Sequence, residues 1–261
     1  MQTALKYLVA RRDLLRTLAW REIRVKYKQS VMGMLWAVLM PAVIVFAGVL
    51  VRYGFAIFSG KSLETDDIAS VSVRAIPWAF FVSSIRFGTN SLIANTTLVT
   101  KIYFPREILP MAAVLSQLMD FVVASVVLIV VLAVLHVGVS VQLLWLPVLI
   151  AILVLLTTGL VLLLSAASLF FRDVKYLVEV LLTFAIFFTP VLFEASMFGH
   201  WYTPLMLNPI APVLEGFANV IVRHVPPPLS WLGYSAVVSV VLCCGALSVF
   251  QRVEPYFAES V

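Results

Sequence analysis

The sequence predicts an all-α integral membrane protein. It has six transmembrane helices, an N-terminal amphipathic interfacial helix, a short cytoplasmic helix after the second span and re-entrant outer helices between spans five and six. Three observations carry this reading. Hydrophobic residues make up 62% of the 261 positions and charged residues 12%, against roughly a quarter charged in soluble domains, and mean hydropathy is +1.07. The length fits about six apolar helices of roughly 20 residues with modest loops, and leaves no room for a sizeable soluble domain. Finally, the net charge of +5 is concentrated near the start, where Lys6, Arg11, Arg12, Arg16, Arg21, Arg24, Lys26 and Lys28 face only Asp13 and Glu22. Ahead of a membrane helix such a cluster holds the chain end in the cytoplasm and does not indicate nucleic acid.

Residues 1–29 read as the interfacial helix. Leu8, Leu14, Leu15, Leu18 and Ala19 share one arc, while Arg11, Glu22 and Lys26 intrude on it. The basic region is too long for a cleavable signal peptide, and no short apolar segment with a small-residue cleavage site follows. The first span is expected at about 31–58, with Trp36 and Tyr53 near its ends and Phe46 on the face of Tyr53. Residues 59–74 read as a polar outer loop. Its Gly60-Lys61-Ser62 triplet is not a phosphate-binding loop, because Phe55 stands where the motif needs its first glycine.

The second span is expected at 76–100 with Arg86 near its middle, and the third at 110–136 with Gln117 and Asp120 inside the membrane. Counted from the turn joining these spans, Arg86 lies roughly 22 Å and Asp120 roughly 15 Å up. The two are expected to pair between antiparallel helices or to face a hydrated path; the same pair would serve equally as a purely structural lock.

Between these spans lies Lys101-Ile-Tyr-Phe-Pro-Arg-Glu-Ile-Leu-Pro110, a polar break between two apolar runs. Lys101 and Arg106 place it in the cytoplasm. Pro105 ends the incoming helix at Phe104 and opens a short helix over 101–107, with Glu107 near its positive end. The result is a stiff knuckle suited to take a push from a soluble partner, with Tyr103 and Phe104 projecting.

The fourth span is expected at 143–170, followed by the charged turn Phe171-Arg172-Asp173-Val174-Lys175, where Asp173 caps the fifth span at 176–193. Leu177, Leu181, Phe184 and Phe188 form one stripe, a pattern that also serves ordinary helix packing. Residues 194–228, punctuated by Pro204, Pro209, Pro212 and Pro226-Pro227-Pro228, read as an outer gate segment in which 210–223 is too short to span. The sixth span is expected at 231–250, and both termini are cytoplasmic. Adjacent Cys243 and Cys244 suit packing rather than a disulfide or metal site. His136, His200 and His224 fall at outer ends without metal-ligand spacing, and catalytic constellations are absent. An ion-coupled carrier is disfavoured because the proline-rich break lies only on the outer side.

Taken together, the basic amphipathic start, six spans, Tyr103-Phe104-Pro105-Arg106-Glu107, Phe171-Arg172-Asp173-Val174 and Asn208-Pro209 before the last span resemble the permease subunit of the ABC exporters for O-antigen, teichoic acid and capsular polysaccharides. The resemblance implies a homodimer bound to two copies of a separate ATPase, which would bind ATP and Mg; this chain would need no cofactor. Residues 101–107 would be the coupling helix, and Lys101, Tyr103, Phe104, Pro105, Arg106, Glu107, Arg172 and Asp173 would meet the ATPase. Rings of the first and fifth helices would line the channel for a lipid-linked polysaccharide, here Trp36, Phe46, Tyr53, Phe184 and Phe188. A permease for a small amphiphile is the alternative, disfavoured by the short 59–74 loop.

Overall fold

The computed structural model describes residues 12–28, 32–33, 35–59, 65–101 and 104–258. The expectations for residues 1–11, for Gly60-Lys61-Ser62 and for Tyr103 lie outside the described residues, as does the Lys101 side chain.

Helix α1 (Arg12–Lys28) packs Leu18 and Ala19 into the inner-end core, with Leu14 and Leu15 partly buried beside them. The expected apolar arc is the face it buries. Helices α2 (Leu35–Ser59) and α3 (Thr65–Thr89) follow. The segment read as a polar loop over 59–74 is therefore mostly helix. Asp66 and Asp67 fill the first turn of α3, where the helix dipole favours carboxylates, and Ala69 to Trp78 are all buried. The helix also ends earlier than the expected 76–100. Asn90 and Ser91 lie in a turn, a 3-10 turn covers Ile93–Asn95, and α4 (Thr96–Lys101) stands apart. The Asn95 and Ser91 side chains bond to local carbonyls, competing with the helix ladder.

Helix α5 (Ile108–Val134) carries Pro110 in its first turn, where a missing N–H costs nothing. Helix α6 (Leu146–Phe170) follows a 3-10 turn at Val141–Trp145. Helices α6 and α10 (Leu229–Val253) pack almost backbone to backbone: a Cβ on Gly159 would lie 3.0 Å from the Cys243 main chain. Cys243 is free and buried there.

The expected fifth span of 176–193 is shorter in helix. Helix α7 covers Val174–Ala185, a 3-10 turn covers Ile186–Phe188, and Thr189 is extended (φ −131°, ψ 144°). Pro190 explains the stop, because it disfavours helical geometry at the residue before it. At 12 residues, α7 rises about 18 Å. Among the described residues, five helices are long and apolar enough to cross a bilayer.

The gate segment contains a 3-10 stretch at Ala195–Trp201 kinked at Gly199 (φ 43°), α8 (Tyr202–Met206) and α9 (Ala211–Ile221). Nearly all of α9 is buried. A Cβ on Gly216 would lie 2.7 Å from Leu149, so the helix sits hard against α6.

Candidate functional site

Three polar clusters stand out, named for the sides expected from the charge distribution of the sequence: an inner node, a cavity and an outer knot. At the inner node residues 104–107 form a bend and a turn rather than part of the expected short helix. Pro105 lacks an N–H and disfavours helical geometry at Phe104, so helix resumes only at Ile108. Phe104, Pro105 and Arg106 are half-buried and Glu107 is buried. Phe104, expected to project, packs against the inner-end core instead, and the chain is turned inward at Arg106. The Arg106 main-chain N–H donates to Glu254 Oε1 at 3.0 Å, and its guanidinium donates to the Glu254 carbonyl at 2.5 Å. Arg172 and Asp173 are exposed. Asp173 occupies the position before α7, but its carboxylate makes no capping bond; its carbonyl accepts from Tyr176 and Leu177 N–H instead.

The cavity, of about 470 Å³, lies between α2, α3, α5 and α7. Trp36, Met40, Trp78, Phe80 and Phe121 form apolar wall, and Lys26, Arg86, Gln117 and Asp120, with Ser83 and Thr183, are its polar lining. Arg86 and Asp120 do not pair. Lys26 donates to the Asp120 carboxylate and, at 3.0 Å, to Gln117 Oε1, while the Tyr27 hydroxyl donates to the other Asp120 oxygen. Lys26 also stands 5.1 Å over the Phe87 ring. Burial, and then the Asp120 hydrogen bond and charge, push the Tyr27 phenol pKa up and keep it protonated. Arg86 instead meets Glu179 of α7 at 3.7 Å, with both groups exposed. Because α3 spans 65–89, Arg86 lies in its last turn rather than mid-membrane.

The predicted channel rings are all exposed on the protomer, from 46% for Trp36 to 70% for Phe188, with Phe46, Tyr53 and Phe184 between. They are not buried packing within one copy. Trp36 shares the cavity with Arg86 and Asp120. Phe46 lines a neighbouring apolar groove of about 330 Å³ between α2, α3 and α5, and the other three line neither.

The outer knot was missed from sequence. Glu194, just after the Pro190 break, is shared by three arginines. Arg223 bonds one oxygen, Arg52 reaches the other at 3.1 Å, and Arg74 lies 3.7 Å away. Arg52 also pairs with Asp67, and Arg74 lies 3.6 Å from Glu215, whose other oxygen accepts the Ala195 N–H at 2.8 Å. The fully buried Arg74 donates to the Phe193 carbonyl at 3.0 Å. Three cations and three carboxylates thus tie α2, α3, the 193–195 strand of chain and α9 together. Burial would raise the Glu194 pKa, but the hydrogen bond and charge of Arg223, then Arg74 and Arg52, hold it down at about 2. The available signal was that Glu194 and Glu215 are acids set within apolar sequence.

Long apolar helices around an aromatic-walled cavity define the class: a multi-pass helical membrane protein. The chain belongs to the ABC-2 type transporter family, whose model matches residues 13–222. It is similar end to end to proteins named as the O-antigen export system permease RfbA. One, from Myxococcus xanthus, is 29% identical over 253 residues, spanning 96% of each chain. Two from Klebsiella pneumoniae are 26% and 28% identical over 254 and 253 residues, spanning 95% of this chain and 94% of theirs.

Proposed function

We propose that this chain is the permease of an ATP-driven exporter that moves a lipid-linked, O-antigen-type polysaccharide out of the cytoplasm across the bacterial inner membrane. The observation that carries the reading is the similarity to O-antigen export permeases over 96% of both chains. The permease works as a homodimer with two copies of a separate ATPase, which binds ATP and Mg; the permease itself carries no cofactor and does no catalysis. The 174–188 segment completes six crossings, and both termini are cytoplasmic.

The geometry supports a division of labour. The exposed Arg172-Asp173 turn and the 101–107 turn meet the ATPase. The exposed rings Trp36, Phe46, Tyr53, Phe184 and Phe188 face the second copy and the channel between the two. Sugar C–H faces stack on such rings through weak contacts that repeat along a polymer, which lets it slide without a tight resting site. The outer knot, built on the gate segment, holds the exit closed between strokes.

The test is export in cells lacking the endogenous permease. This chain, expressed with its ATPase, should restore surface polysaccharide and co-purify with that ATPase. Restoration without any nucleotide-hydrolysing partner, or residues 101–107 labelled from the outer face, overturns the reading.

A further inference from the structure

We infer that α10 is the rod that carries the stroke from the cytoplasmic turns to the outer gate, with Glu254 and Phe257 as positioning residues at its lower end and Ser235 at its upper end. The inference rests on the reading of 101–107 as the ATPase-facing turn and adds the route by which motion leaves it.

The lower grip starts from an unmet donor. Arg106 lies just before α5 begins, so its main-chain N–H has no helical partner. A carboxylate from the far end of the chain supplies one: Glu254 Oε1 accepts that N–H at 3.0 Å, and the Glu254 carbonyl accepts the Arg106 guanidinium at 2.5 Å. Immediately after, the chain folds into a 3-10 turn over Glu254–Ala258 and buries Phe257 completely. The Phe257 ring lies 5.2 Å from Phe250 of α10, 5.7 Å from Phe170 at the end of α6, and 5.9 Å from the Arg106 guanidinium carbon. Phe170 is the residue before the Phe171-Arg172-Asp173 turn. One ring therefore touches the neighbourhoods of both cytoplasmic turns, and both are fastened to the end of α10.

The upper grip is equally specific. Ser235 donates to the Pro209 carbonyl at 2.5 Å, and the Tyr234 hydroxyl donates to the Leu207 carbonyl at 2.9 Å. Pro209 and Leu207 lie between α8 and α9, the two helices of the gate segment. Ser235 is fully buried, and the proline carbonyl it meets belongs to a break in helix where a main-chain acceptor needs a partner. Between the two grips runs a single α-helix of 25 residues, about 38 Å long. It contains no proline, the usual cause of a sharp kink. It is held laterally against α6 by the close approach at Gly159. A displacement of Arg106 is thus delivered to Glu254, along α10, and to the chain between the gate helices. Helix α3 also reaches the gate segment, through the ion pair of Arg74 with Glu215 at 3.6 Å, but the turn at Asn90–Ser91 and α4 separate it from the chain at Arg106.

The experiment uses the full permease with its ATPase, purified together, and hydrogen exchange of residues 195–222 with and without ATP and vanadate. A cross-link from a cysteine at Phe104 to the ATPase is the control. In the parent complex the cross-link forms and nucleotide changes exchange over 195–222. Glu254→Ala should keep the cross-link and reduce the nucleotide-dependent change about fivefold, the equilibrium equivalent of one lost hydrogen bond. Glu254→Gln, whose amide oxygen still accepts the Arg106 N–H, should retain the change. Ser235→Ala, remote from the ATPase, should reproduce the Glu254→Ala defect. The double variant should be no worse than either single, because both links lie in series on one path; independent structural defects would add.

A full nucleotide response in Glu254→Ala or Ser235→Ala, or additive losses in the double variant, overturns the rod. Absence of the Phe104 cross-link in the parent complex would instead overturn the reading of the 101–107 turn, and with it the rod's starting point.

Discussion

Lys26, near the end of the N-terminal helix, donates its ammonium to the carboxylate of Asp120, close to the middle of α5. The bond explains why a lysine interrupts the apolar arc of a surface helix. Helix α1 does not rest only on lipid: its C-terminal end is drawn in against α5 and presents a cation to the cavity, with Tyr27 and Gln117 completing the cluster. Asp120 is thereby satisfied from outside the six-helix plan read from sequence, and Arg86 is left to the more exposed partner Glu179.

Lys26→Met should destabilise the protein by about 1.5–3 kcal/mol, the range for a charged hydrogen bond, because it leaves Asp120 without its cation. Exchanging the pair, Lys26→Asp with Asp120→Lys, should recover a good part of the loss, whereas exchanging Arg86 and Asp120 should recover none. Thermal unfolding in detergent distinguishes the two. Arg86→Gln alone should cost less than about 1 kcal/mol, as for an exposed ion pair.

Glu194→Gln should loosen the outer segment, because three arginines lose the anion they share and the buried Arg74 keeps only Glu215. Loss of one partner from a buried ionic cluster costs about 3–5 kcal/mol, and faster proteolysis between 195 and 222 is the readout. The same group predicts an acid transition. Its pKa in the folded protein is about 2 against an ordinary 4.5. Its contribution is therefore complete above pH 4.5 and is lost as pH falls from there towards 2. A melting-temperature profile across that window should fall in the parent protein and be flatter in Glu194→Gln.

Arg172→Glu should leave stability within about 0.5 kcal/mol, as for an exposed surface site, while lowering transport-coupled ATP hydrolysis. Arg106→Glu should do both kinds of damage, because Arg106 is bonded to Glu254 inside the protein. ATPase assays paired with thermal melts separate the two variants. Equal coupling in Arg172→Glu and the parent would remove that turn from the ATPase contact.

Trp36→Ala and Phe188→Ala should reduce polysaccharide export without lowering the melting temperature of the permease by more than a few degrees, since both rings are exposed on the protomer. Phe250→Ala is the contrasting control. Its fully buried ring should cost about 3–5 kcal/mol, and any export defect there should follow the loss of folded protein.

Much of the architecture was legible because composition and run length respond to the solvent, and a bilayer imposes one rule on every span. The apolar runs, the basic start, the short helix near 211–221 and the polar turns at 104–107 and 171–173 are all visible as local patterns. Helix ends were less legible where local rules compete. The acidic start of α3 looked like a loop because Asp66 and Asp67 are polar, although a helix N-terminus favours them. The fifth span was read through Pro190, whose effect on Thr189 shortens it.

By itself the sequence determined that the chain lives in a membrane, where its polar breaks fall and which rings lie on which runs, because these follow from hydropathy and from residues a few positions apart. Only the tertiary structure decided the partners of the charges. Glu194 meets Arg223, Arg74 and Arg52, Asp120 meets Lys26, and Arg106 meets Glu254, pairs separated by between 29 and 148 positions in the chain. The reason is physical: an ion in an apolar medium must find an opposite charge wherever packing brings one within reach, and that packing is set by how whole helices stack rather than by their order along the chain.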